Sequence, residues 1–463
     1  MSAAMRRMRR EARRLPRFIR WCVVWCASAG AAIVPTRLLA QTTLSPIEQK
    51  IRETVTKSHE QAVSYLQKTV NIPSNTLKFT GVKAVGMLFK ASLDSLGFST
   101  KWVTLPAEVG RAGHLVAEHK GKPGAVRIML IGHLDTVVEP DGPTWVRTDS
   151  IAKGVGSGDI KGGDVVILYA LKALQAAGSL RDMNISIIFT GDEEHPGEPL
   201  ALDRKDLIDM GKRSDIALAF EGGNKSDVTV ARRGASSWRV TATGRQGHSA
   251  GVFSPGAGYG AIYEVARIVN AFREQLAGEQ YLTFNVGTIV GGTDVDYDTV
   301  GVKGSASSKL NIISKSAIAH GDLRFISEDQ KERTRAKMRD IVAKHLPGTD
   351  AKITFLDEYP AMAPTPGNLR LLEYYDGASQ ALGYGKVEAL DPGRRGAGDI
   401  SFVGPILDGL DGLGAIGTGS HAPDERVNLN ALKMQTERTA IFLERIGKLP
   451  SSTFSRTPAS DHH

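Results

Sequence analysis

The stretch VRIMLIGHLDT, residues 126–136, opens as an apolar run of strand length and ends in Gly132, His133 and Asp135. Two further runs, 185–190 and 216–220, are equally rich in Ile, Leu, Val or Phe and are bounded by turn residues. Continuous apolar runs of this length suit strands buried on both faces. Helical spacing over 163–177 and about 204–212 separates them. Alternation of strand and helix predicts an α/β fold, a mostly parallel sheet with helices on both faces. Such a sheet carries its chemistry in loops at the carboxyl ends of the strands. Upstream, 46–70 and about 81–97 read as helices, and 71–74 as a loop.

Near Ala231 the pattern changes. Residues 237–243 alternate, with Trp238, Val240 and Ala242 on one side. A helix at 257–275, strands at 282–290 and 317–326, a helix at 328–345 and a strand at 351–357 follow. The order βαββαβ predicts a smaller unit, 232–362, inserted into a larger one formed by 44–231 and 363–447. Helices near 369–382 and 430–446 resume the first pattern. The roughly 420 residues after position 40 exceed the size at which a single core stops growing, so two domains are expected.

The chain has 463 residues, 58 Lys+Arg, 50 Asp+Glu and a formal net charge of +8. Nine arginines and one acid, Glu11, fall within residues 1–40, leaving 49 bases against 49 acids. The excess positive charge therefore belongs to the leader and gives no reason to expect a nucleic-acid partner. An Arg-rich segment through Arg20, an apolar run 21–34 and Leu38-Leu39-Ala40 before Gln41 read as a secretory signal at 1–40. An uncleaved anchor is the other reading, but the run of about 14 residues is short of the roughly 20 that span a bilayer. Both cysteines, Cys22 and Cys26, lie in that segment, so cleavage leaves no thiolate ligand and no disulfide. An exported protein without a stable membrane anchor is expected, with 448–463 as a disordered tail. No Gly-X-Ser-X-Gly elbow occurs. The glycines of 412–417 read as a turn, and the basic run 331–339 as a solvated helix face.

Each strand of the larger unit leads to an acid or a histidine. His133 and Asp135 follow the first; Asp159 follows a Gly-rich turn at 154–158 and precedes Lys161-Gly162-Gly163. Asp192, Glu193 and Glu194 follow the next strand, Glu221 the third, and His421 follows Gly417-Thr418-Gly419-Ser420. Singly, each has an ordinary explanation: a hydrogen-bonded histidine, a solvated acid, or a helix cap at Asp159. Five in phase with the strands of one sheet converge in space. Two histidines and several carboxylates without cysteine suit Zn²⁺ or another divalent first-row ion. In His-X-Asp the second residue can fix the ring of the first. Of two adjacent glutamates, one can bind metal while the other acts as a base.

The order His-Leu-Asp-Thr-Val (133–137), Gly-X-Gly-X-X-Asp-X-Lys-Gly-Gly (154–163), Asp-Glu-Glu (192–194), Phe-Glu-Gly (220–222) and Gly-Ser-His (419–421) resembles the dinuclear zinc peptidase and deacylase family. That family includes glutamate carboxypeptidase, succinyl-diaminopimelate desuccinylase, acetylornithine deacetylase and the aminoacylases. The resemblance spans roughly 50–447 and implies a zinc-peptidase-like α/β domain carrying an inserted lid and dimerisation domain. It further implies two divalent ions per subunit, zinc foremost with cobalt or manganese as alternatives. Asp159 would bridge them, His133 and Glu221 would complete one site, and Glu194 and His421 the other. A water or hydroxide between the ions would be the nucleophile, Glu193 the general base, and Asp135 the residue that orients His133. A cis peptide after Asp159 is also implied. In the lid, Gly244-Arg245-Gln246-Gly247-His248-Ser249-Ala250 resembles the motif whose histidine reaches the partner subunit's site. Asn311 and Arg324 match positions that bind a substrate carboxylate. Without the resemblance, Arg324 could equally pair with Asp322 or Glu328, and His248 could be a turn residue.

Two stretches depart from the family pattern. Gly258-Tyr259-Gly260-Ala261 replaces Gly-X-Asn-Ala, which removes a helix-start hydrogen bond. Arg395-Gly396-Ala397-Gly398-Asp399 is a loose version of Gly-Gly-X-Ser-Asp. The function implied is an exported exopeptidase that cuts an amide bond next to a free C-terminal carboxylate in small peptides or N-acyl amino acids, and works as a homodimer through the lid. An N-acyl-amino-acid deacylase, an aminoacylase or a dipeptidase is the alternative within the family, and a non-catalytic metal- or peptide-binding protein the alternative outside it.

Overall fold

Residues 126–136 supply the central strand, Arg127–His133, of a six-stranded sheet in the computed structural model, which describes residues 43–454. The leader at 1–40, its two cysteines and the chain beyond 454 lie outside the described residues. Arg127–His133 pairs in parallel with Asn184–Thr190 on one side and Ile216–Ala219 on the other. Asp408–Leu410 extends the parallel set beyond Ile216–Ala219. Met129 and Ile131 face a cluster that includes Leu207, Met210, Ile400 and Phe402. The intervening Ile128 and Leu130 are also buried, on the opposite face of the pleat. Burial on both sides, worth about 1.5–3 kcal/mol per large aliphatic side chain, is why the run shows no alternation.

Helices Pro46–Val70, Lys161–Ala177 and Leu429–Ile446 pack against one another, and Lys161–Ala177 also packs against the central strand. Pro46–Val70 starts where expected because Ser45 and Glu48 form a reciprocal capping box with Pro46 in the first turn. The segment read as one helix near 204–212 is two, Leu200–Asp203 and Lys205–Gly211.

The other edge of the sheet was not legible as strand. His114–His119 pairs antiparallel with Asn184–Thr190, and Ser99–Val103 pairs antiparallel with His114–His119. Ser99–Val103 is nowhere fully buried, so its sequence carries little apolar signal.

Residues 234–357 form a sheet of their own. Its order is Thr283–Gly292, Ser316–Phe325, Gly234–Gly244, Thr349–Asp357, all antiparallel. Trp238, Val240 and Ala242 do point to one side, where they pack against Val265, Ile268 and Phe272 of helix Ala261–Leu276 and Met338 of helix Glu328–Val342. An unanticipated hairpin, Asp294–Asp298 with Lys303–Ser307, sits in the chain between strands Thr283–Gly292 and Ser316–Phe325. Lys303–Ser307 is exposed throughout, which explains the missing periodicity. The helix-start bond expected to be lost at Gly260 is replaced: the Ser314 carbonyl accepts from the Ala261 N–H and its hydroxyl from the Ile262 N–H, each at 3.0 Å. The connections into and out of this segment pair with each other at Arg232 and Met362.

The expectation of disorder from 448 fails for the first part of the tail. Phe454 is 3% exposed, with its ring against Tyr374, and the Ser451 hydroxyl donates to Asp215 at 2.8 Å. Ser, Thr and Pro dominate the composition there, and one aromatic anchor outweighs them.

Candidate metal centre

Three strand ends of the parallel set, those leading to His133, to Glu193 and Glu194, and to Glu221, meet in one place with Asp159 and His421. The last two follow strands Ile151–Lys153 and Gly417–Thr418 of a separate antiparallel sheet and not, as expected, strands of the same one. His133, the last residue of the central strand, is 1% exposed, with its Nε2 3.4 Å from Asp159 Oδ1 and 3.8 Å from Glu221 Oε1. On the other side, His421 Nε2 lies 3.3 Å from Asp159 Oδ2 and 3.2 Å from Glu194 Oε2. Asp159 thus presents one oxygen to each imidazole. Glu193 Oε2 stands 4.0 Å from His133 Nε2, beside the first cluster. The His421 side chain is 57% exposed while that of Glu194 is 7% exposed, so the second cluster is the one open to solvent. The Asp159–Ile160 peptide is cis.

The Gly-rich motif has a steric reason. A Cβ on Gly163 would lie 2.0 Å from the Phe220 carbonyl, and one on Gly162 2.4 Å from the Ser157 carbonyl. Only glycine lets the helix after Asp159 start so close to the strand end that carries Glu221. Lys161 is buried and donates to the carbonyls of Thr69 at 3.2 Å and Ile72 at 3.0 Å, tying this turn to the end of the first long helix. Burial pushes its ammonium down to about 8.

Asp135 does more than orient an imidazole. Its Oδ1 lies 3.2 Å from His133 Nδ1 and accepts from the Glu193 N–H at 3.1 Å. Its Oδ2 accepts from the Glu194 N–H at 3.1 Å and from the Thr76 hydroxyl at 2.6 Å. One buried carboxylate therefore sets the first histidine and the turn that bears both glutamates.

Three supports escaped the sequence. Thr76 sits just past a loop with no motif of its own. Glu425, four residues after His421, accepts the N–H groups of Gly156 at 2.6 Å, Gly158 at 2.7 Å and Asp159 at 2.8 Å. It thereby ties the Asp159 turn to the His421 loop, and the His421 motif was the signal that could have drawn attention to it. Arg204 is fully buried, 2.8 Å from Asp192, 2.5 Å from Asp203 and 3.0 Å from Asp399. It joins the segment before Glu193 to the loop at 395–402.

Like charges in so small a volume distort titration. Burial, reinforced by the Glu221 charge, holds Glu193 well above the usual carboxylate range. Burial pushes Glu194 up to about 8 and Glu221 up to about 7, against the opposing charge of His133. Asp159 goes the other way, because the imidazoles of His133 and His421 on either side of it overcome burial. The bond to Asp159 lifts His421 to about 9.

The residues fit a pair of divalent ions. His133 Nε2 is buried with no hydrogen-bond partner, and it faces carboxylates from two other loops. The donor set of imidazole and carboxylate is that of zinc, cobalt or manganese sites, and the second ring nitrogen of His133 is already anchored.

The lid residues are distributed differently. His248 and Asn311 are neighbours, with Nε2 and Nδ2 3.4 Å apart, and both are exposed. Arg324 lies toward the other end of strand Ser316–Phe325 and contacts Asp322 at 3.2 Å, the local pairing that the sequence left open. At about 3.4 Å per residue, the eight steps from 316 to 324 span about 27 Å. One chain does not bring Arg324 together with His248 and Asn311.

Residues 129–445 match the family described as Peptidase family M20/M25/M40. Carboxypeptidase G2 from Pseudomonas sp. (strain RS-16) is 27% identical over 435 residues, 91% of this chain and 98% of that protein. A succinyl-diaminopimelate desuccinylase from Acidiphilium cryptum is 29% identical, with 77% and 91% covered. Among solved structures, aminopeptidase PepT from Bacillus cereus aligns with a TM-score of 0.65 at 17% identity over 84% of this chain and 99% of that one.

Ligand protonation sets a pH dependence. Glu221, Glu194 and His421 shed protons at about 7, 8 and 9 in the ion-free protein, and all three must be deprotonated to ligate. Divalent-ion affinity is therefore expected to climb as pH rises through that range, with proton release on binding. Calorimetry in buffers of different ionisation enthalpy measures both, and an affinity independent of pH would contradict the assignment.

Proposed function

The chain belongs to peptidase family M20/M25/M40, and from that premise we propose that it is an exported, metal-dependent exopeptidase hydrolysing the amide bond next to a free C-terminal carboxylate. Its substrates would be small peptides or N-acyl amino acids, from which it releases the C-terminal residue. The observation that carries this reading is the pair of imidazole–carboxylate clusters sharing Asp159, with Glu193 beside them. A pair of divalent ions bound there would polarise the scissile carbonyl and an attacking water. Glu193 takes the proton of that water and delivers it to the leaving amine, work for which a buried carboxylate is better suited than an exposed one. Asp135 holds the base in place through the Glu193 N–H. A non-catalytic binding protein has no use for such a base.

Arg324 is suited to the substrate carboxylate because its planar fork matches two oxygens. His248 and Asn311 lie beyond the opposite end of strand Ser316–Phe325 from Arg324, a separation that supports their serving the site of a second subunit in a homodimer built through the 232–362 lid. An N-acyl-amino-acid deacylase is the second reading, supported by the desuccinylase relative. Export rests on the leader at 1–40. No helix among the described residues is long and apolar enough to cross a membrane.

Replacing Glu193 with Ala should lower kcat by about 10²–10⁴-fold while both ions stay bound; unchanged turnover would sink the mechanism. Mixing inactive His248→Ala and Glu193→Ala subunits should restore partial activity, since one site per mixed dimer is then complete. Absence of rescue, with subunit exchange verified, would place His248 in its own subunit's site or outside the chemistry.

A further inference from the structure

The turn that bears Glu193 and Glu194 is gripped from a second direction besides Asp135. Tyr359 lies two residues beyond strand Thr349–Asp357, on the connection that leads out of the 234–357 sheet. Its backbone carbonyl accepts from the Ala235 N–H at 2.8 Å, at the start of strand Gly234–Gly244. Its hydroxyl donates to the backbone carbonyl of Glu193 at 3.3 Å. One residue thus joins the smaller sheet to the main chain of Glu193.

The hydroxyl is aimed by its surroundings. The half-buried Tyr359 ring packs on Phe402, with centroids 4.9 Å apart and planes at 50°. The guanidinium of Arg204 stands beside the phenol and lies 5.6 Å from the same Phe402 ring. Arg204 holds Asp192 at 2.8 Å and Asp399 at 3.0 Å, and Asp399 accepts from the Thr190 hydroxyl at 2.5 Å. The ring therefore sits against the buried network beneath the residues that precede Glu193, with little side-chain freedom left to lose. Burial raises the phenol above its ordinary range, so the oxygen keeps a proton to donate.

A planar trans peptide moves its C=O and N–H as one unit, and the two point in opposite directions. In the Glu193–Glu194 peptide the N–H donates to Asp135 Oδ2 at 3.1 Å, and the C=O accepts from Tyr359. The peptide before it donates the Glu193 N–H to Asp135 Oδ1 at 3.1 Å. Both planes that meet at the Glu193 Cα are held, and with them the direction of its side chain. Without the phenol, the second plane is held at one end only and can rock about its bond to Asp135. Resting on Glu193 as the base, we propose that Tyr359 is a positioning residue, which fixes the base from the exit connection of the smaller sheet. Its contribution falls on the rate and not on affinity, because an interaction that places the base counts when the proton moves.

Tyr359→Phe keeps the ring on Phe402 and removes the donor. In the metal-loaded protein, with an N-acyl amino acid as substrate, kcat should fall about fivefold, the worth of one hydrogen bond. KM should stay within about twofold, with ion content unchanged. In a Glu193→Ala background the same replacement should cost nothing more, because no base is left to place. A kcat for Tyr359→Phe equal to that of the unsubstituted protein overturns the proposal, as does a loss that appears in KM or in ion content instead. So does a loss of equal size with and without Glu193, the mark of a merely structural residue. All of these leave the exopeptidase reading intact. If the unsubstituted protein cleaves neither N-acyl amino acids nor dipeptides, that reading fails, and amide hydrogen exchange over 191–197 still decides the contact. Exchange about fivefold faster in Tyr359→Phe supports it, and equal exchange refutes it.

Discussion

A buried carboxylate, Asp135, is the constraint on which the site is built. It takes bonds from the Thr76 hydroxyl and from the N–H groups of Glu193 and Glu194, and it lies against His133 Nδ1. These donors come from a loop after the first helix, a strand end and the turn beyond the next strand. Their shared acceptor explains how His133, Glu193 and Glu194 keep fixed spacing although no secondary structure joins them. Removing one partner of such a buried set leaves an uncompensated polar group, so the arrangement is held as a unit. Glu425 does the same for the Asp159 turn, through three N–H groups accepted by one carboxylate.

The backbone anchoring also answers why so many acids can share one volume. Burial and mutual repulsion push Glu193, Glu194 and Glu221 toward the protonated form, while Asp159 is kept ionised by the two imidazoles that flank it. A cluster of that kind calls for compensating positive charge inside it. The leader's arginines, which give the whole chain its basic sum, lie far outside that need in sequence. Beside the cluster stands a buried cation, Arg232, whose charge opposes the rise at Glu221.

How much could be read from the chain follows from burial. The three parallel strands and their acid-bearing ends were legible because strands covered on both faces write continuous apolar runs, and the loops that follow them must meet. The alternation of Trp238, Val240 and Ala242 was legible for the opposite reason, one face buried and one wet. Ser99–Val103 and the hairpin at 294–307 left weak signals because they are short and largely unburied, and His114–His119 because its two histidines and Glu118 interrupt the apolar run. Phe454 contradicted a compositional expectation with a single buried ring. Thr76, Glu425 and Arg204 act through backbone groups and distant acids, and no spacing rule reaches such partners. The separation of Arg324 from His248 and Asn311 was likewise invisible until the register of Ser316–Phe325 was known.

The account's central claim is that Asp159 joins two ion sites rather than closing one. Divalent metal per chain, measured by elemental analysis on the dialysed protein after reconstitution, tests it most directly. Two ions per chain, with occupancy of both reduced in Asp159→Ala, are predicted. A single ion per chain at saturation, or two ions unaffected by Asp159→Ala, would contradict it.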